Sequence, residues 1–302
     1  MELGMVGLGK MGGNMTVRLV QAGHRVVGYA RTKSVVDEVV AKGAAGASSL
    51  ADLVRQLKPP RIVWLMIPSG APVDQMLEAL HSMLSPGDTI VDGGNSYYRD
   101  TLRRAALVTG WGLRYVDVGT SGGVWGLTEG YSMMVGGDKS DVERIRPILE
   151  TLAPGPTKGW GHMGAVGSGH FVKMVHNGIE YGMMQAYAEG FAVLQAKSDF
   201  ALDLHQVSEV WRYGSVIRSW LLELTESALA ENPTLEGIAP WVVDSGEGRW
   251  TVTEALDLNI PAPVITLALQ QRLRSRESDP FTERLLSLMR NKFGGHAVKR
   301  ES

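Results

Sequence analysis

The stretch that decides the fold is Gly7-Leu8-Gly9-Lys10-Met11-Gly12, a G-x-G-x-x-G pattern. It follows the short apolar run Leu3–Val6 and opens an amphipathic segment, Met11–Ala22. In this position the glycines permit a tight turn and close packing of a helix on a strand. The pattern therefore predicts a strand–turn–helix unit whose helix N-terminus can receive a pyrophosphate.

The alternation of short apolar runs and amphipathic segments continues through the first half of the chain. This rhythm indicates repeated crossovers and a doubly wound, mostly parallel sheet of the Rossmann type. The predicted strands are Leu3–Val6, Arg25–Tyr29, Ile62–Ile67, Thr89–Val91, Tyr115–Val118 and Ser132–Val135. The predicted helices are Met11–Ala22, Ser34–Lys42, Ala51–Leu57, Pro72–Met83, Tyr98–Gly110 and Lys139–Leu152.

The pattern of apolar residues changes after Pro154-Gly155-Pro156 and the glycine-rich run Gly159–Gly169. Strand-like runs largely disappear there and helical periodicity dominates. We therefore expect an α/β dinucleotide-binding domain over residues 1–162 and an all-helical domain over residues 163–302. The predicted helices of the second domain are Phe171–Lys197, Leu204–Ile217, Trp220–Glu231, Thr251–Leu258, Pro263–Arg276 and Phe281–Arg290.

The composition of the 302 residues excludes several classes of protein. With 44% hydrophobic and 21% charged residues the chain is of ordinary globular type, and a net charge of −2 argues against nucleic-acid binding. The absence of cysteine excludes disulfides and thiolate zinc sites. No basic leader and no apolar run near ~20 residues is present, so we expect a cytoplasmic protein without a membrane segment.

The residues after the second predicted strand bear on the choice of dinucleotide. An acid there would hold the ribose hydroxyl of NAD, but the sequence reads Gly28-Tyr29-Ala30-Arg31-Thr32-Lys33. Guanidinium, hydroxyl and ammonium groups suit a phosphate, so the sequence favours NADP, with NAD as the weaker alternative. An exposed turn without a ligand and an enzyme that uses both cofactors remain open at this point.

A polar stripe on the predicted helix Phe171–Lys197 is the main candidate for chemistry. Lys173, Asn177 and Glu180 stand at i, i+4 and i+7, so they project from one face, flanked by His176 and Tyr181. A buried lysine can act as a base near neutral pH, and a carboxyl group with a raised pKa can act as an acid. The alternative is an exposed Lys–Glu helix face without chemistry.

Two glycine-rich loops follow predicted strands and offer groups that could bind a substrate. Gly119–Gly126 exposes backbone amides together with the Ser121 hydroxyl, which suit a carboxylate or hydroxyl groups. Asp92–Ser96 carries Asn95, whose amide could orient a carboxamide or a hydroxyl group. Each loop could also be a structural turn.

These residues together resemble the 6-phosphogluconate dehydrogenases, which are members of the β-hydroxyacid dehydrogenase superfamily. The resemblance covers nearly the whole chain and is to the short form, in which the helical domain is not duplicated and partner subunits interlock. It rests on Gly7–Gly12, Ala30–Thr32, Asp92–Ser96, Thr120–Gly123, Gly167–Tyr181 and Arg290–His296.

The resemblance implies a pentose phosphate pathway enzyme of gluconate utilisation. It would convert 6-phosphogluconate to ribulose 5-phosphate and carbon dioxide while NADP is reduced, without a metal. Lys173 would be the base at the C3 hydroxyl and would then polarise the 3-keto intermediate. Glu180 would protonate C1 of the enediol after carbon dioxide leaves, and Asn177 would assist at the catalytic centre.

The resemblance also assigns the binding residues. Residues expected to hold the sugar acid are Asn95, Ser121, Gly122, Gly123, His176 and Asn177. Residues expected at its phosphate are Tyr181, Arg272, Arg290 and His296, the last two in the site of the partner subunit of a homodimer. Expected cofactor residues are Gly7, Leu8, Gly9, Lys10, Met11, Gly12, Ala30, Arg31, Thr32, Lys33, Met66 and Asn95. Without the resemblance, Lys292–Ser302 would be predicted to be a disordered basic end.

One position departs from the family pattern. Where the family commonly has a phosphate-binding lysine, this chain has Ser245 in Asp244-Ser245-Gly246-Glu247-Gly248-Arg249-Trp250. Two other functions remain as alternatives: a dehydrogenase for a small unphosphorylated 3-hydroxy acid and a non-catalytic NADP-binding sensor or scaffold. The first would have no use for Arg290 and His296, and the second would not need both Lys173 and Glu180.

Overall fold

The computed structural model describes residues 1–300, apart from the side chain of Phe293, and the chain divides into two compact units, Met1–Asn177 and Gly178–Ser302. The first unit carries a β-sheet, and the second is helical. The predicted boundary after residue 162 falls inside a strand, Trp160–Gly164. The units divide later because the first turns of the following helix pack on the sheet.

The first unit contains one eight-stranded sheet in the order β3-β2-β1-β4-β5-β6-β7-β8. All neighbouring strands are parallel except β6 and β7, which are antiparallel. The order reverses between β1 and β4, which creates the crevice where doubly wound sheets bind ligands. The strands are β1 Glu2–Val6, β2 Arg25–Tyr29, β3 Ala45–Gly46, β4 Ile62–Leu65, β5 Thr89–Asp92, β6 Arg114–Ser121, β7 Ser132–Gly136 and β8 Trp160–Gly164.

Helices cover both faces of this sheet. Two hydrophobic clusters result: α1, α2 and α7 pack on one face, and α3, α4 and α5 on the other. The helices are α1 Lys10–Gln21, α2 Lys33–Val40, α3 Leu50–Gln56, α4 Ala71–His81, α5 Tyr98–Gly110, α6 Gly126–Glu129, α7 Lys139–Leu152 and the first turns of α8 Ser168–Ala196. The structure confirms the predicted Rossmann-type class.

Strands β3 and β8 were not predicted from the sequence. Strand β3 has only two residues, and β8 reads Trp-Gly-His-Met-Gly at the sheet edge with largely exposed side chains. Neither segment carries an apolar run, because neither is buried on both faces as the central strands are.

The second unit is built from helices only within the described residues. Its core has two small clusters, one around Tyr181, Ala268 and Leu269, the other around Phe191, Leu222 and Leu229. Its helices are the rest of α8, α9 Leu204–Arg212, α10 Trp220–Glu231, α11 Glu247–Asp257, α12 Pro263–Arg274 and α13 Phe281–Gly294. The all-helical prediction for this part of the chain is therefore confirmed.

The three helix ends that differ most from the predictions lie beside glycines. Helix α9 stops before Gly214, which has a φ of 72°, and α11 starts earlier than predicted, directly after Gly246 at φ 107°. Helix α13 continues to Gly294 and ends at the left-handed Gly295, so residues 292–294 of the predicted disordered end Lys292–Ser302 are helical instead. Glu301 and Ser302 lie outside the described residues.

Candidate functional site

The crevice at the switch point of the sheet forms a cleft of about 510 Å³. It lies where β1, β2 and β4 end, so the three following turns supply its walls. The predicted cofactor residues that line it are Gly7, Leu8, Gly9, Ala30, Arg31, Thr32 and Met66. Lys10, Met11, Gly12, Lys33 and Asn95 are not among its lining residues.

The three motif glycines serve different packing needs. Gly7 has a φ of 93°, and a Cβ there would lie 2.2 Å from the Met66 carbonyl oxygen. A Cβ on Gly12 would lie 2.0 Å from the Gly7 carbonyl oxygen, whereas one on Gly9 would meet no described atom of residues 1–300 within 4 Å. Gly9 therefore leaves open space at the N-terminus of α1, and the cleft fits a dinucleotide pyrophosphate.

Two basic residues after β2 have different surroundings. Arg31 is exposed and lines the cleft beside Thr32. Lys33 instead places its Nζ 2.8 and 2.7 Å from the two carboxylate oxygens of Asp37, one turn along α2. Arg31 and Thr32 are therefore the better placed of the predicted phosphate-binding groups.

A buried network shapes the loop that carries Asn95. The Asp92 carboxylate accepts hydrogen bonds from the Ser96 hydroxyl at 2.8 Å and the Tyr115 hydroxyl at 3.1 Å. Burial raises the pKa of Tyr115 well above its ordinary value, so this phenol remains a donor. The Asn95 Oδ1 is buried and has no hydrogen-bond partner among residues 1–300, which leaves an acceptor for a ligand.

Arg104 supports this loop from α5, a role that the sequence did not reveal. Its guanidinium is fully buried and donates to both Asp74 carboxylate oxygens, the Gly70 carbonyl oxygen and, at 3.4 Å, the Ser96 hydroxyl. The hydrogen bonds from Arg104 lower the pKa of Asp74 to about 2. The pair thus ties α4 and α5 to the loop that carries Asn95.

We expect Asp74→Asn to reduce stability at neutral pH and to lose that effect in acid. The pKa of Asp74 is lower in the folded state than in the unfolded state, so the carboxylate stabilises the fold above about pH 4. This contribution disappears as the pH falls toward about 2. Thermal melts from pH 7 to pH 2 should show the gap between wild type and variant closing, with the exposed Asp199→Asn as control. A gap that stays constant would contradict the assignment.

Lys173 is the centre of the second predicted site. It is 4% exposed, and its Nζ lies 2.7 Å from the Asn177 Oδ1 and 3.3 Å from the His176 Nδ1. The structure thus brings together three predicted residues on successive turns of α8. A buried lysine amine within hydrogen-bond distance of an amide oxygen is a candidate for a general base.

The start of α8 is held against the sheet by a carboxylate that was not predicted. Asp117, fully buried in β6, accepts backbone N–H groups of Gly167 at 2.6 Å and His170 at 2.9 Å. A Cβ on Gly119 would lie 2.3 Å from the Lys173 Cβ, so strand and helix touch directly there. An acid inside the apolar run Tyr115–Val118 is the signal that could have revealed this role.

The predicted loop Gly119–Gly126 is shorter in the structure, because β6 continues beyond Val118 to Ser121. Gly122 and Gly123 have φ values of 133° and 52°, a region that favours glycine, and they lead into a short 3₁₀ turn. The turn ends at Trp125, whose side chain is about half exposed. The loop therefore has the open backbone expected of a binding segment.

The helical unit gathers a separate set of residues around Tyr181. The Tyr181 hydroxyl lies 3.2 Å from the Ser245 Oγ, and Ser245 donates to Glu247 at 2.5 Å. The Arg272 guanidinium carbon lies 3.5 Å from the centre of the Tyr181 ring. Glu180 is half-buried in the preceding position of α8. Tyr181 and Arg272, two predicted phosphate contacts, are thus neighbours.

The other two predicted phosphate contacts lie at the C-terminal end of the chain. Arg290 and His296 are exposed, Arg290 on α13 and His296 just beyond it, where the His296 carbonyl oxygen accepts from the Asn291 amide. Their assignment to a partner subunit's site stays a prediction. Among residues 1–300, no group of three acidic or histidine side chains is arranged to hold a metal ion, and no helix is long and apolar enough to cross a membrane.

A Rossmann-type unit with a dinucleotide cleft, followed by a helical unit, defines an NAD(P)-binding oxidoreductase. Family models match both parts: the NAD binding domain of 6-phosphogluconate dehydrogenase over residues 2–181 and the C-terminal domain of the same enzyme over residues 169–284. The chain belongs to the 6-phosphogluconate dehydrogenase family, in its short form, within the β-hydroxyacid dehydrogenase superfamily.

Individual relatives agree with this membership. A Bacillus subtilis protein, YqeC, provisionally named a 6-phosphogluconate dehydrogenase, is 45% identical across 100% of both chains. The NAD(+)-dependent, decarboxylating 6-phosphogluconate dehydrogenase of Haloferax volcanii is 44% identical across 100% of this chain and 99% of its own. The solved 6-phosphogluconate dehydrogenase of Plasmodium falciparum is 30% identical, with a TM-score of 0.84 over 100% of this chain and 66% of its own.

Proposed function

We propose that this protein catalyses the oxidative decarboxylation of 6-phosphogluconate to ribulose 5-phosphate and carbon dioxide, with NADP as the electron acceptor. The observation that carries the proposal is the buried Lys173 amine, held at 2.7 Å by the Asn177 amide oxygen in α8. Membership of the 6-phosphogluconate dehydrogenase family supports the same substrate.

Lys173 removes the proton of the C3 hydroxyl in this reaction. The amine is buried, and Asn177 aims it by accepting one of its N–H groups. Once protonated, Lys173 donates to the C3 ketone and stabilises the negative charge that develops when the C1 carboxylate leaves. Glu180 delivers a proton to C1 of the resulting enediol.

The cleft beside Gly7, Gly9 and Met66 holds the dinucleotide, with Arg31 and Thr32 at its ribose phosphate. Bound there, a nicotinamide supplies the acceptor for the hydride from C3. Asn95, Ser121, Gly122, Gly123 and His176 bind the sugar acid. Tyr181 and Arg272 bind its phosphate.

The direct test combines cofactor reduction with gas release. Purified protein is supplied with 6-phosphogluconate and NADP or, separately, NAD, and carbon dioxide is counted alongside the reduced nucleotide. Equal amounts of both products, with NADP preferred, are expected. Reduction without carbon dioxide would favour a dehydrogenase for a small 3-hydroxy acid, and no reduction would favour the non-catalytic sensor.

Cofactor preference should shift toward NAD in a triple variant of the turn after β2. Ala30→Asp adds an acceptor for the ribose hydroxyl, while Arg31→Leu and Thr32→Val remove the phosphate-binding groups. We expect the ratio of kcat/KM for NADP to that for NAD to fall by at least about tenfold, equal to about 1.4 kcal/mol.

The control for this variant is Lys33→Met, because Lys33 is already paired with Asp37 and does not line the cleft. We expect it to change the ratio by less than the triple variant does. An unchanged ratio in the triple variant would mean that the ribose phosphate binds elsewhere.

We also propose a homodimer in which the C-terminal segment of each subunit completes the partner's site. Helix α13 exposes a row of large apolar side chains, more than an isolated surface helix needs. They are Phe281, Leu285, Leu286, Leu288 and Met289. Sedimentation equilibrium giving the mass of one 32.7 kDa chain would contradict this proposal.

A further inference from the structure

Two buried side chains of the helical unit, Tyr181 and Glu247, are joined into a hydrogen-bonded chain by the exposed Ser245. Tyr181 and Glu247 are 4% and 8% exposed, and Ser245 connects them at 3.2 Å and 2.5 Å. Gly248 packs against the Tyr181 ring, where a Cβ would come within 2.4 Å of it. The ring therefore has little freedom to move away from Ser245.

The carboxylate determines the direction of this chain. An ionised carboxylate only accepts hydrogen bonds, so the Ser245 proton points to Glu247. The Ser245 oxygen then accepts from Tyr181, which uses the only proton of the phenol. Tyr181 and Ser245 consequently have lone pairs but no proton to offer to an anion.

Arg272 supplies a positive charge beside Tyr181. Its guanidinium stacks on the Tyr181 ring and donates to the Val243 carbonyl oxygen at 2.8 Å, and no carboxylate in residues 1–300 forms an ion pair with it. Arg249, two residues after Glu247 in the sequence, is paired with Asp244 at 2.7 Å. Arg272 thus has free N–H groups for an anion.

We propose that Glu247 is a specificity-determining residue that weakens binding of the phosphate group beside Arg272. The negative charge of Glu247 offsets the positive charge of Arg272. Because Glu247 accepts the Ser245 proton, the Tyr181 proton is directed to Ser245 and away from the ligand. This inference rests on the proposed function, which places the substrate phosphate at Tyr181 and Arg272.

Replacing the carboxylate with an amide should therefore improve binding. In Glu247→Gln the charge is gone, and the amide can donate to Ser245, which frees Ser245 to donate to Tyr181 and the phenol to donate to phosphate. We expect the KM for 6-phosphogluconate to fall about fivefold, the order expected for one charge removed near a partly solvated anion.

Two controls separate this effect from a change in the fold. The inhibition constant of gluconate, which lacks the phosphate, should stay within about twofold. Glu254→Gln removes an equally buried charge two turns further along α11 and should leave the KM for 6-phosphogluconate unchanged. An unchanged or raised KM in Glu247→Gln, or a parallel change for gluconate, would overturn the inference.

A titration with inorganic phosphate tests the inference without turnover. Calorimetry should give a dissociation constant for phosphate about fivefold lower for Glu247→Gln than for wild type. Equal constants would overturn the inference, whereas a wild type that does not oxidise 6-phosphogluconate would overturn the proposed function. If Glu247→Gln does not fold, Glu247→Thr also removes the charge and keeps a hydrogen-bonding group for Ser245.

Discussion

Lys173→Met is expected to lower kcat with 6-phosphogluconate by at least about a thousandfold, while the dissociation constants of NADP and NAD change by less than about twofold. General base catalysis contributes on the order of 10²–10⁴-fold, and the same amine is also assigned to polarising the C3 ketone. Methionine keeps the unbranched stem that packs beside Gly119, but its thioether can neither accept nor donate a proton.

Cofactor binding should persist because Lys173 is absent from the cleft that holds Gly7, Gly9 and Arg31. Steady-state rates and fluorescence titrations with each dinucleotide give the two quantities separately. Lys139→Met makes the same chemical change at an exposed position of α7 and should leave both quantities unaltered. A Lys173→Met rate within about tenfold of wild type would rule out this residue as the base.

The parts of the site that could be predicted are those whose geometry is set by residues close together in the sequence. The Gly7–Gly12 turn and the i, i+4 pair of Lys173 and Asn177 are set by neighbours in sequence, so their placement followed from spacing alone. The elements Arg25–Tyr29, Tyr98–Gly110, Lys139–Leu152 and Trp220–Glu231 have the predicted bounds, because their apolar periodicity matches the surface they bury.

Contacts between residues far apart in the chain could not be predicted from the sequence. Asp117 meets the start of α8 fifty residues later, and Arg104 meets Asp74 thirty residues earlier. A charged residue within an apolar strand contradicts the pattern expected from the sequence. Its burial is stable only when hydrogen-bond partners are present, and the sequence does not show which residues these are. Tyr181 likewise contacts Ser245, which lies 64 residues later in the chain.

Gly119→Ala is expected to lower kcat about a hundredfold although the residue itself carries no functional group. An added Cβ would lie 2.3 Å from the Lys173 Cβ and 2.8 Å from the Gly169 carbonyl oxygen, far inside ordinary contact. Since the N–H groups of α8 are anchored to Asp117, the helix can relax only by moving Lys173 relative to β6. A misplacement near 1 Å typically costs about 10²-fold in rate.

Gly110→Ala is the matched control, because a Cβ there meets no atom of the described part of the chain within 4 Å and the residue ends a helix of the same unit. It should keep the wild-type rate. Overpacking at Gly119 should also cost about 1–3 kcal/mol of stability, so rates are measured at a temperature where circular dichroism shows the variant to be folded. A folded Gly119→Ala protein with kcat within about threefold of wild type would mean that the contact with β6 does not position Lys173, and that Asn177 and His176 on its own helix suffice.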